Sequence, residues 1–191
     1  MKPKAPLYLA LIHWPVYNQK REVVATSITP FDLHDIARTS KTYGIERYFV
    51  VCPVESQRLL AEKIMGHWLT GIGAEMNVTR KEAFELVQLA AQVEDACLTI
   101  KNETAKSPRL IATSAQSGPG RLSFSQVSQT LFESDDPHLL LFGTGWGMTE
   151  EILKKADLFL EPIAGLGDGS YNHLPVRAAV AIILDRLLSQ R

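Results

Sequence analysis

The sequence has few of the features that mark several large classes of protein. Its 191 residues include two cysteines, Cys52 and Cys97, which form no C-x-x-C pair. A disulfide framework or a cysteine zinc site is therefore not expected. The five histidines show no ligand spacing such as H-x-x-x-H. The sequence thus predicts a protein with no metal ion and no disulfide bond.

Long apolar runs are also missing. No stretch approaches the roughly 20 apolar residues that a membrane-spanning helix needs, and the N-terminal segment is interrupted by His13, Trp14 and Pro15, which does not fit a secretory signal. There is no internal repeat and no low-complexity linker. With 46% hydrophobic and 21% charged residues, the chain can bury a core. We expect a soluble, cytoplasmic protein with one domain over residues 1–191.

The sequence has no strong excess of charge, since its net charge is -1. Basic residues outnumber acidic ones by 8 to 5 in residues 1–60, and acidic residues outnumber basic ones by 9 to 5 in residues 122–191. RNA binding relies on phosphate contacts from Lys or Arg. The basic excess in residues 1–60 therefore fits an RNA-facing surface, and an ordinary solvated surface is the alternative. The candidates for an RNA-facing surface are Lys2, Lys4, Lys20, Arg21, Arg38, Lys41 and Arg47.

Short apolar runs alternate with helical patterns along most of the chain. We predict strands over residues 7–12, 23–28, 47–52, 109–114, 138–142 and 158–163. We predict helices over residues 32–43 with Asp32 as N-cap, 55–68, 149–156 and 174–188, and a helix from a capping box at Ser123 toward Phe132. A capping box at Thr79 predicts the longest helix, with Phe84, Val87 and Ala91 on one face and Leu98 as a further candidate for that face. Strands separated by helices predict an α/β fold, with a mostly parallel sheet and helices on both faces.

Two junctions near the C-terminal end carry unusual sequences. Phe142-Gly143-Thr144-Gly145-Trp146-Gly147 connects an apolar strand to a helix, and Tyr171-Asn172-His173-Leu174-Pro175-Val176-Arg177 leads into the last helix. Three glycines in five residues let a backbone approach a ligand closely at the end of a strand. Met148 stands where the dinucleotide fingerprint G-x-G-x-x-G needs a glycine, and no phosphate-loop pattern is present. The junctions indicate a pocket, although a tight connection alone also explains such a turn.

A third segment resembles a known motif. The sequence from Thr29 to Gly44 resembles the first motif of the SPOUT, or trefoil-knot, RNA methyltransferases, N-P-x-N-x-G-x-x-x-R-T-A-x-x-F-G. Asp32 replaces the second asparagine, and His34 replaces the glycine. The glycine junction and residues 170–181 resemble the second and third motifs. A small branch found fused to or beside tRNA guanine-N1 methyltransferases carries a similar F-G-T-G-W-G and Y-N-H-L-x-V-R. The positions in register with the first motif are Pro30, Arg38, Thr39, Tyr43 and Gly44.

The resemblance implies a deep C-terminal trefoil knot and S-adenosylmethionine (SAM) as cofactor. In this family SAM lies among three loops, which correspond here to residues 113–116, 142–147 and 161–174. Adenine needs apolar walls and backbone hydrogen bonds, and Leu141, Ile163 and Leu174 suit that wall unless they only pack the core. The implied cofactor-binding residues are Thr113, Ser114, Phe142, Gly143, Thr144, Gly145, Gly147, Glu161, Ile163, Asn172 and Leu174.

Three residues are candidates for catalysis of methyl transfer. The resemblance places the motif arginine of ribose methyltransferases on Arg38, although a guanidinium, which stays protonated in proteins, is a poor base. The guanine-N1 enzymes use an aspartate, and Asp168 lies in the loop before the third motif. His173 is the third candidate, because an imidazole can move a proton. The acceptor is therefore a ribose 2'-OH or a base nitrogen of tRNA or rRNA, and surface, turn and capping roles remain the alternatives for these residues.

The family also implies a homodimer, with the last helix packed across the interface. Residues 176–184 are apolar nearly all round the helix, so one side can face a second chain, and full burial within one subunit is the alternative. Two other functions stay open. One is a knotted RNA-binding module without catalysis, and the other is a Rossmann-like nucleotide-binding oxidoreductase.

Overall fold

A six-stranded parallel sheet forms the centre of the fold in the computed structural model, which describes residues 3–167 and 171–189. Its strand order is β5-β4-β1-β7-β6-β8, and every neighbouring pair runs parallel. Two further strands, β2 and β3, form a separate antiparallel hairpin. The strands are β1 Leu7–Ile12, β2 Val16–Tyr17, β3 Val23–Val24, β4 Tyr48–Val51, β5 Val87–Ala90, β6 Arg109–Ala112, β7 His138–Gly143 and β8 Leu158–Phe159.

Helices cover both faces of the sheet, as predicted. One hydrophobic cluster packs α1, α2, α4, α6 and α8 against one face, and a second cluster packs α5 and α7 against the other. Burial on both faces explains why β1 and β4 are continuous apolar runs. The helices are α1 Pro30–Tyr43, α2 Glu55–Leu69, α3 Ile72–Met76, α4 Val78–Phe84, α5 Val93–Thr104, α6 Phe124–Glu133, α7 Glu150–Leu153 and α8 Val176–Leu188.

The strand order reverses between β1 and β7. From β1 the chain builds outward through β4 to β5, and it then continues on the other side with β6 before β7 inserts between β6 and β1. The helices that follow β1 and β7, α1 and α7, pack on opposite faces. In open α/β sheets such a reversal leaves a crevice at the carboxyl ends of the two strands. Here those ends are Ile12 and Gly143, which are register partners.

The start of α1 differs from the prediction. Thr29, not Asp32, is the N-cap, and its side chain accepts a hydrogen bond from the backbone N–H of Asp32. Pro30 then occupies the first turn, where its missing N–H costs nothing. The helix ends at Gly44, whose φ of +72° gives the left-handed cap. The shift brings Asp32 into the first turn with its side chain almost fully buried.

The predicted long helix from Thr79 is wrong. The helix α4 begins two residues earlier, capped by Asn77, and ends at Phe84. Strand β5 follows at the edge of the sheet, and α5 then starts with its own capping box between Gln92 and Asp95. The four residues of β5 pair with β4, and this tertiary pairing overrides a local pattern that also fits a helix.

The predicted strand at residues 23–28 is also wrong in extent and place. Only Val23–Val24 forms a strand, and it pairs with Val16–Tyr17 outside the main sheet. The capping box at Ser123 is confirmed, because Ser123 and Gln126 make both reciprocal bonds. The other predicted strands exist, some with shorter bounds. The helix predicted at residues 149–156 is a single turn, α7.

Candidate active site

A cavity of about 680 Å³ lies at the reversal of strand order. It is lined by the loop after β6, the glycine loop after β7 (residues 143–148), the segment before α8, and the β2–β3 hairpin. Its volume falls in the range of about 300–1,000 Å³ typical of small-molecule sites. Four separate parts of the chain therefore meet at the edge of the sheet where open α/β proteins bind ligands.

The glycine loop is held against the hairpin by backbone hydrogen bonds. The N–H of Trp146 donates to the carbonyl of Tyr17 at 2.8 Å, and the N–H of Tyr17 donates to the carbonyl of Gly147 at 2.9 Å. Gly145 has a φ of +56°, and a Cβ there would lie 2.9 Å from the carbonyl oxygen of Tyr17. Glycine is thus required at residue 145 by both backbone conformation and space.

A chain of hydrogen bonds crosses the base of the cavity. The hydroxyl of Thr144 donates to the carbonyl of Ile12 at 2.9 Å, and its oxygen lies 2.5 Å from the hydroxyl of Thr26. Because Thr144 has used its one proton, Thr26 must donate to it. The Nδ1 of His13, 2.9 Å from Thr26 Oγ1, must then be the protonated nitrogen. The neutral ring therefore carries its free lone pair on Nε2, which has no partner among the described residues.

His13 is held in its neutral form. The side chain is buried, and burial lowers its pKa from 6.5 to about 4, although the nearby Asp32 acts in the opposite direction. A neutral imidazole keeps the tautomer described above over the whole physiological range. His13 therefore fixes the hydrogen-bond chain that connects β1, the hairpin and the glycine loop.

The loop after β6 and the segment before α8 meet directly. The side-chain amide of Asn172 donates to the carbonyl of Ala115 at 2.9 Å. The hydroxyl of Thr113 donates to the carbonyl of Leu141 at 2.9 Å and ties the same loop to β7. Within the described ranges, the backbone amides of Ser114, Ala115, Gly145 and Ile163 donate to no other residue. These amides remain available to a ligand.

Apolar side chains from both sides of the sheet contribute to the lining of the cavity. They are Phe142, Leu153, Ile163, Leu174 and Ile183. Leu141, which the sequence also suggested for the adenine site, is fully buried in the second cluster and does not line the cavity. Apolar surface beside free amide groups suits a planar, uncharged ring with polar edges.

Two acidic side chains, Asp32 and Glu150, also line the cavity. Asp32 accepts a hydrogen bond from the hydroxyl of Thr29 at 2.6 Å, and Arg177 Nε lies 3.6 Å from its other oxygen. The guanidinium of Arg177 donates to Asp35 at 2.8 Å as well. This network joins the first turns of α1 and α8 at the cavity.

Most of the residues proposed from sequence as SAM ligands line the cavity. The exception is Glu161, whose carboxylate accepts the backbone N–H of Phe124 at 2.8 Å and so caps α6. The ten that line it are Thr113, Ser114, Phe142, Gly143, Thr144, Gly145, Gly147, Ile163, Asn172 and Leu174.

The three catalytic candidates are placed differently. His173 lines the cavity. Arg38 is exposed on α1, beyond the residues that line the cavity of this chain. Asp168 lies outside the described residues. Of the two candidates that the structure describes, it thus brings His173 into the site.

Several lining residues were missed from sequence: His13, Tyr17, Arg21, Thr26 and Asp32. The first four belong to the segment between β1 and α1, which folds back over the glycine loop, and Asp32 lies in the first turn of α1. A pattern of neighbouring residues does not predict that a segment folds back in this way. His13 is different, because it directly follows β1, and residues at the carboxyl ends of parallel strands are candidates for a site.

Known proteins resemble this chain over nearly its whole length. Residues 6–189 match a family model described as SAM-dependent RNA methyltransferase. The chain belongs to this family. The resemblance seen in the sequence is therefore confirmed, and the protein is an RNA methyltransferase rather than an oxidoreductase or a non-catalytic module. The family implies SAM as the methyl donor.

Two relatives illustrate the range of this methyltransferase family. An uncharacterized protein of Aquifex aeolicus is 38% identical over 184 residues, which cover 96% of this chain and 89% of the relative. A tRNA (guanine-N(1)-)-methyltransferase of Oleidesulfovibrio alaskensis is 44% identical over 187 residues. That match covers 98% of this chain and 43% of the relative. The methyltransferase described here thus spans less than half of the second protein.

Solved structures share the fold at low identity. A methylase family protein of Neisseria gonorrhoeae superposes with a TM-score of 0.64 at 15% identity, covering 98% of this chain and 83% of that one. The Aquifex aeolicus TrmH/SpoU tRNA modifying enzyme superposes with a TM-score of 0.55 at 17% identity, covering 97% and 76%. These similarities support the fold of the methyltransferase.

Among the described residues there is no cluster of three or more His, Cys, Asp or Glu side chains that could hold a metal ion. In residues 3–167 and 171–189 there is likewise no helix long and apolar enough to cross a membrane.

Proposed function

We propose that this methyltransferase binds SAM in the cavity between β1 and β7 and methylates a nucleotide of tRNA or rRNA. The observation that carries the proposal is the position of the glycine loop. It leaves β7 at the reversal of strand order, and it opens backbone and apolar surface to one cavity. The relatives named tRNA methyltransferase support an RNA of that class, and a cytoplasmic location is part of the proposal because such an RNA would be met there.

The lining residues fit SAM. Phe142, Ile163 and Leu174 provide the apolar surface for adenine, and the free amides of Ser114 and Gly145 provide donors for its polar atoms and for a carboxylate. SAM carries positive charge on its sulfur and amino group. The carboxylates of the lining residues Asp32 and Glu150 complement that charge.

SAM supplies an activated methyl group, so little covalent chemistry remains for the protein. The loops must hold the acceptor in line with the methyl group and exclude water. A neutral acceptor must also lose a proton. His173 is the described candidate that lines the cavity, and Asp168 is the second candidate. The methyl acceptor is either a ribose 2'-OH or a base nitrogen. Arg38 would polarise the ribose hydroxyl or bind a phosphate.

Calorimetric titration tests the proposed donor site. We expect saturable binding of SAM to the purified protein and no binding of NADH, because the loop lacks the dinucleotide fingerprint. Incubation of tRNA and rRNA with methyl-labelled SAM, followed by nucleoside mass spectrometry, would then identify a ribose or a base as the acceptor. A folded protein that binds no SAM would contradict the proposal.

We also propose a homodimer and a knotted C-terminal segment, both of which the family resemblance implies. A half-buried apolar stripe on α8, formed by Ala178, Ala181 and Ile182, supports the dimer. These residues recur at helical spacing on one side of α8, so they form a contiguous surface. In a dimer, Arg38 of one chain would be free to complete the acceptor site of the other.

The variant Ile182→Glu is expected to be monomeric. A glutamate placed in an apolar interface buries an unpaired charge, which costs several kcal/mol, so dimerisation should weaken by at least about 100-fold. Sedimentation equilibrium measures the mass. Leu98→Glu changes an exposed leucine on α5 and should leave the dimer intact. A wild-type protein that sediments as a single chain would contradict the proposed dimer.

A further inference from the structure

Large aromatic side chains are exposed at the mouth of the cavity. Trp146 is 54% exposed and Tyr171 is 79% exposed. The ring of His173 lies between them, with centroids 6.2 Å from Trp146 and 5.2 Å from Tyr171. We call these three residues the aromatic strip. Exposed aromatic surface that is contiguous and borders a cavity is typical of a binding surface rather than of folding alone.

Trp146 is placed by its backbone rather than by burial of its ring. Its N–H donates to the carbonyl of Tyr17 at 2.8 Å, and it lies between Gly145 and Gly147, both with positive φ. Backbone hydrogen bonds to the hairpin thus hold the loop in place while the indole stays open to solvent. A rigid exposed ring loses little conformational entropy when another flat ring stacks on it.

A basic turn (residues 18–22) lies beside the strip at the tip of the β2–β3 hairpin. The side chain of Asn18 accepts the backbone N–H of Lys20 at 2.9 Å and of Glu22 at 3.0 Å. This arrangement holds Arg21 at a φ of +63°. Its guanidinium lies 3.9 Å from the centre of the Tyr17 ring. Arg21 lines the cavity, and no carboxylate of the described residues pairs with it.

The protein as a whole is not basic, since its net charge is -1. A protein without a net positive charge gains less from phosphate attraction over a wide surface. Among the other basic candidates, Arg47 already pairs with Glu103 at 2.6 Å. Stacking on aromatic rings is independent of net charge and contributes strongly to binding of unpaired bases.

We propose that the acceptor nucleotide is bound unstacked from its neighbours, with its base against the indole of Trp146 and an adjacent phosphate on Arg21. The inference rests on the proposed function and specifies its substrate as a single-stranded or flipped-out nucleotide. The strip and the basic turn border the same cavity as the proposed donor site. The base would thus lie within reach of the methyl group while the rest of the RNA stays outside.

Fluorescence anisotropy with a labelled, mixed-sequence single-stranded RNA of about ten nucleotides tests the proposal. In the presence of saturating SAM, Trp146→Ala should weaken RNA binding by about tenfold. Trp146→Phe, which keeps a stacking ring, should restore affinity to within about threefold. Leu98→Ala removes an exposed apolar side chain on α5 and is the matched control.

The salt dependence separates the phosphate contact from the stacking contact. Arg21→Asn keeps a residue that tolerates positive φ, and it should reduce the slope of log affinity against log salt by about 0.7. Trp146→Ala should leave that slope unchanged. Lys101→Asn, an exposed lysine on α5, is the charge control and should leave the slope unchanged too.

Specific results would overturn the proposal. Trp146→Ala with wild-type RNA affinity would exclude stacking on this ring, as would tighter binding of the same sequence as a duplex. Loss of SAM binding in Trp146→Ala would make the residue part of the donor pocket. In each of these cases the wild-type protein still binds RNA, so the result does not contradict the proposed function. A wild-type protein that binds SAM but no RNA would reject both.

Discussion

Gly145→Val is expected to abolish SAM binding, with a loss of at least about 100-fold in affinity. The residue has a φ of +56°, which a β-branched side chain rarely adopts. Its first side-chain carbon would lie 2.9 Å from the carbonyl oxygen of Tyr17 and 3.3 Å from the methyl group of Thr26. The loop must therefore move away from the hairpin. Such a displacement opens the cavity, and misplacement by about 1 Å is enough to disrupt a site.

Stability in the presence of SAM provides the measurement. A ligand at 100 times its dissociation constant raises the free energy of unfolding by about 2.7 kcal/mol if it binds the folded state alone. We expect that increase for the wild type in urea denaturation, and at most about 0.4 kcal/mol for Gly145→Val.

Gly120→Val is the matched control for the glycine substitution. Gly120 also has a positive φ, +72°, but no atom lies within 4 Å of the position that a Cβ would take there, and the residue is not part of the cavity lining. The backbone strain is thus similar without the clash. If Gly145→Val kept the stabilisation by SAM, the donor site would not involve the glycine loop.

His13→Asn is expected to make the protein less sensitive to acid. The folded-state pKa of His13 is about 4, below its ordinary value of 6.5. Between these values the unfolded chain binds the proton more tightly than the folded chain does. Stability is therefore highest above pH 6.5 and is lost as the pH falls toward 4. This one histidine should cost about 2 kcal/mol of unfolding free energy between pH 7 and pH 5.

The comparison of variants isolates His13 from other titrating groups. Asparagine keeps a donor that can reach Thr26 but has no proton to gain, so His13→Asn should lose about 2 kcal/mol less than the wild type between pH 7 and pH 5. Urea denaturation at both pH values measures the difference. His67→Asn, at an exposed histidine on α2, controls for the loss of a histidine. Equal losses in wild type and His13→Asn would show that His13 is not held neutral by burial.

The sheet and the glycine loop could be predicted from sequence because their signals are local. Buried parallel strands such as β1 and β7 are short apolar runs bounded by turn residues, and Ser123 and Gln126 form a capping box within four residues. The spacing of apolar residues predicts the helices that come after such runs and caps. Ten residues proposed for the cofactor then line one cavity, because the carboxyl ends of parallel strands lie at one edge.

The rest depended on contacts between distant residues. The edge strand β5 exists because it pairs with β4, and its four residues fit a helix as well when read alone. Glu161 follows β8 toward the site, yet its carboxylate binds the start of α6. The hairpin that brings Tyr17 and Arg21 to the cavity is placed by bonds to the glycine loop, about 130 residues later in the chain. A sequence pattern does not report such pairings.

The hydrogen bond between Asn172 and Ala115 has a consequence for biosynthesis. Ile12, at the base of the cavity, is made 160 residues before Asn172, and the intervening chain contains the remaining strands of the sheet. Domains begin to organise as their N-terminal parts are synthesised. A nascent chain that already contains the strands of the sheet still lacks the part of the cavity lining contributed by residues 172–183. If SAM binds in this cavity as proposed, the growing polypeptide gains the ability to bind the methyl donor only after this segment has been synthesised.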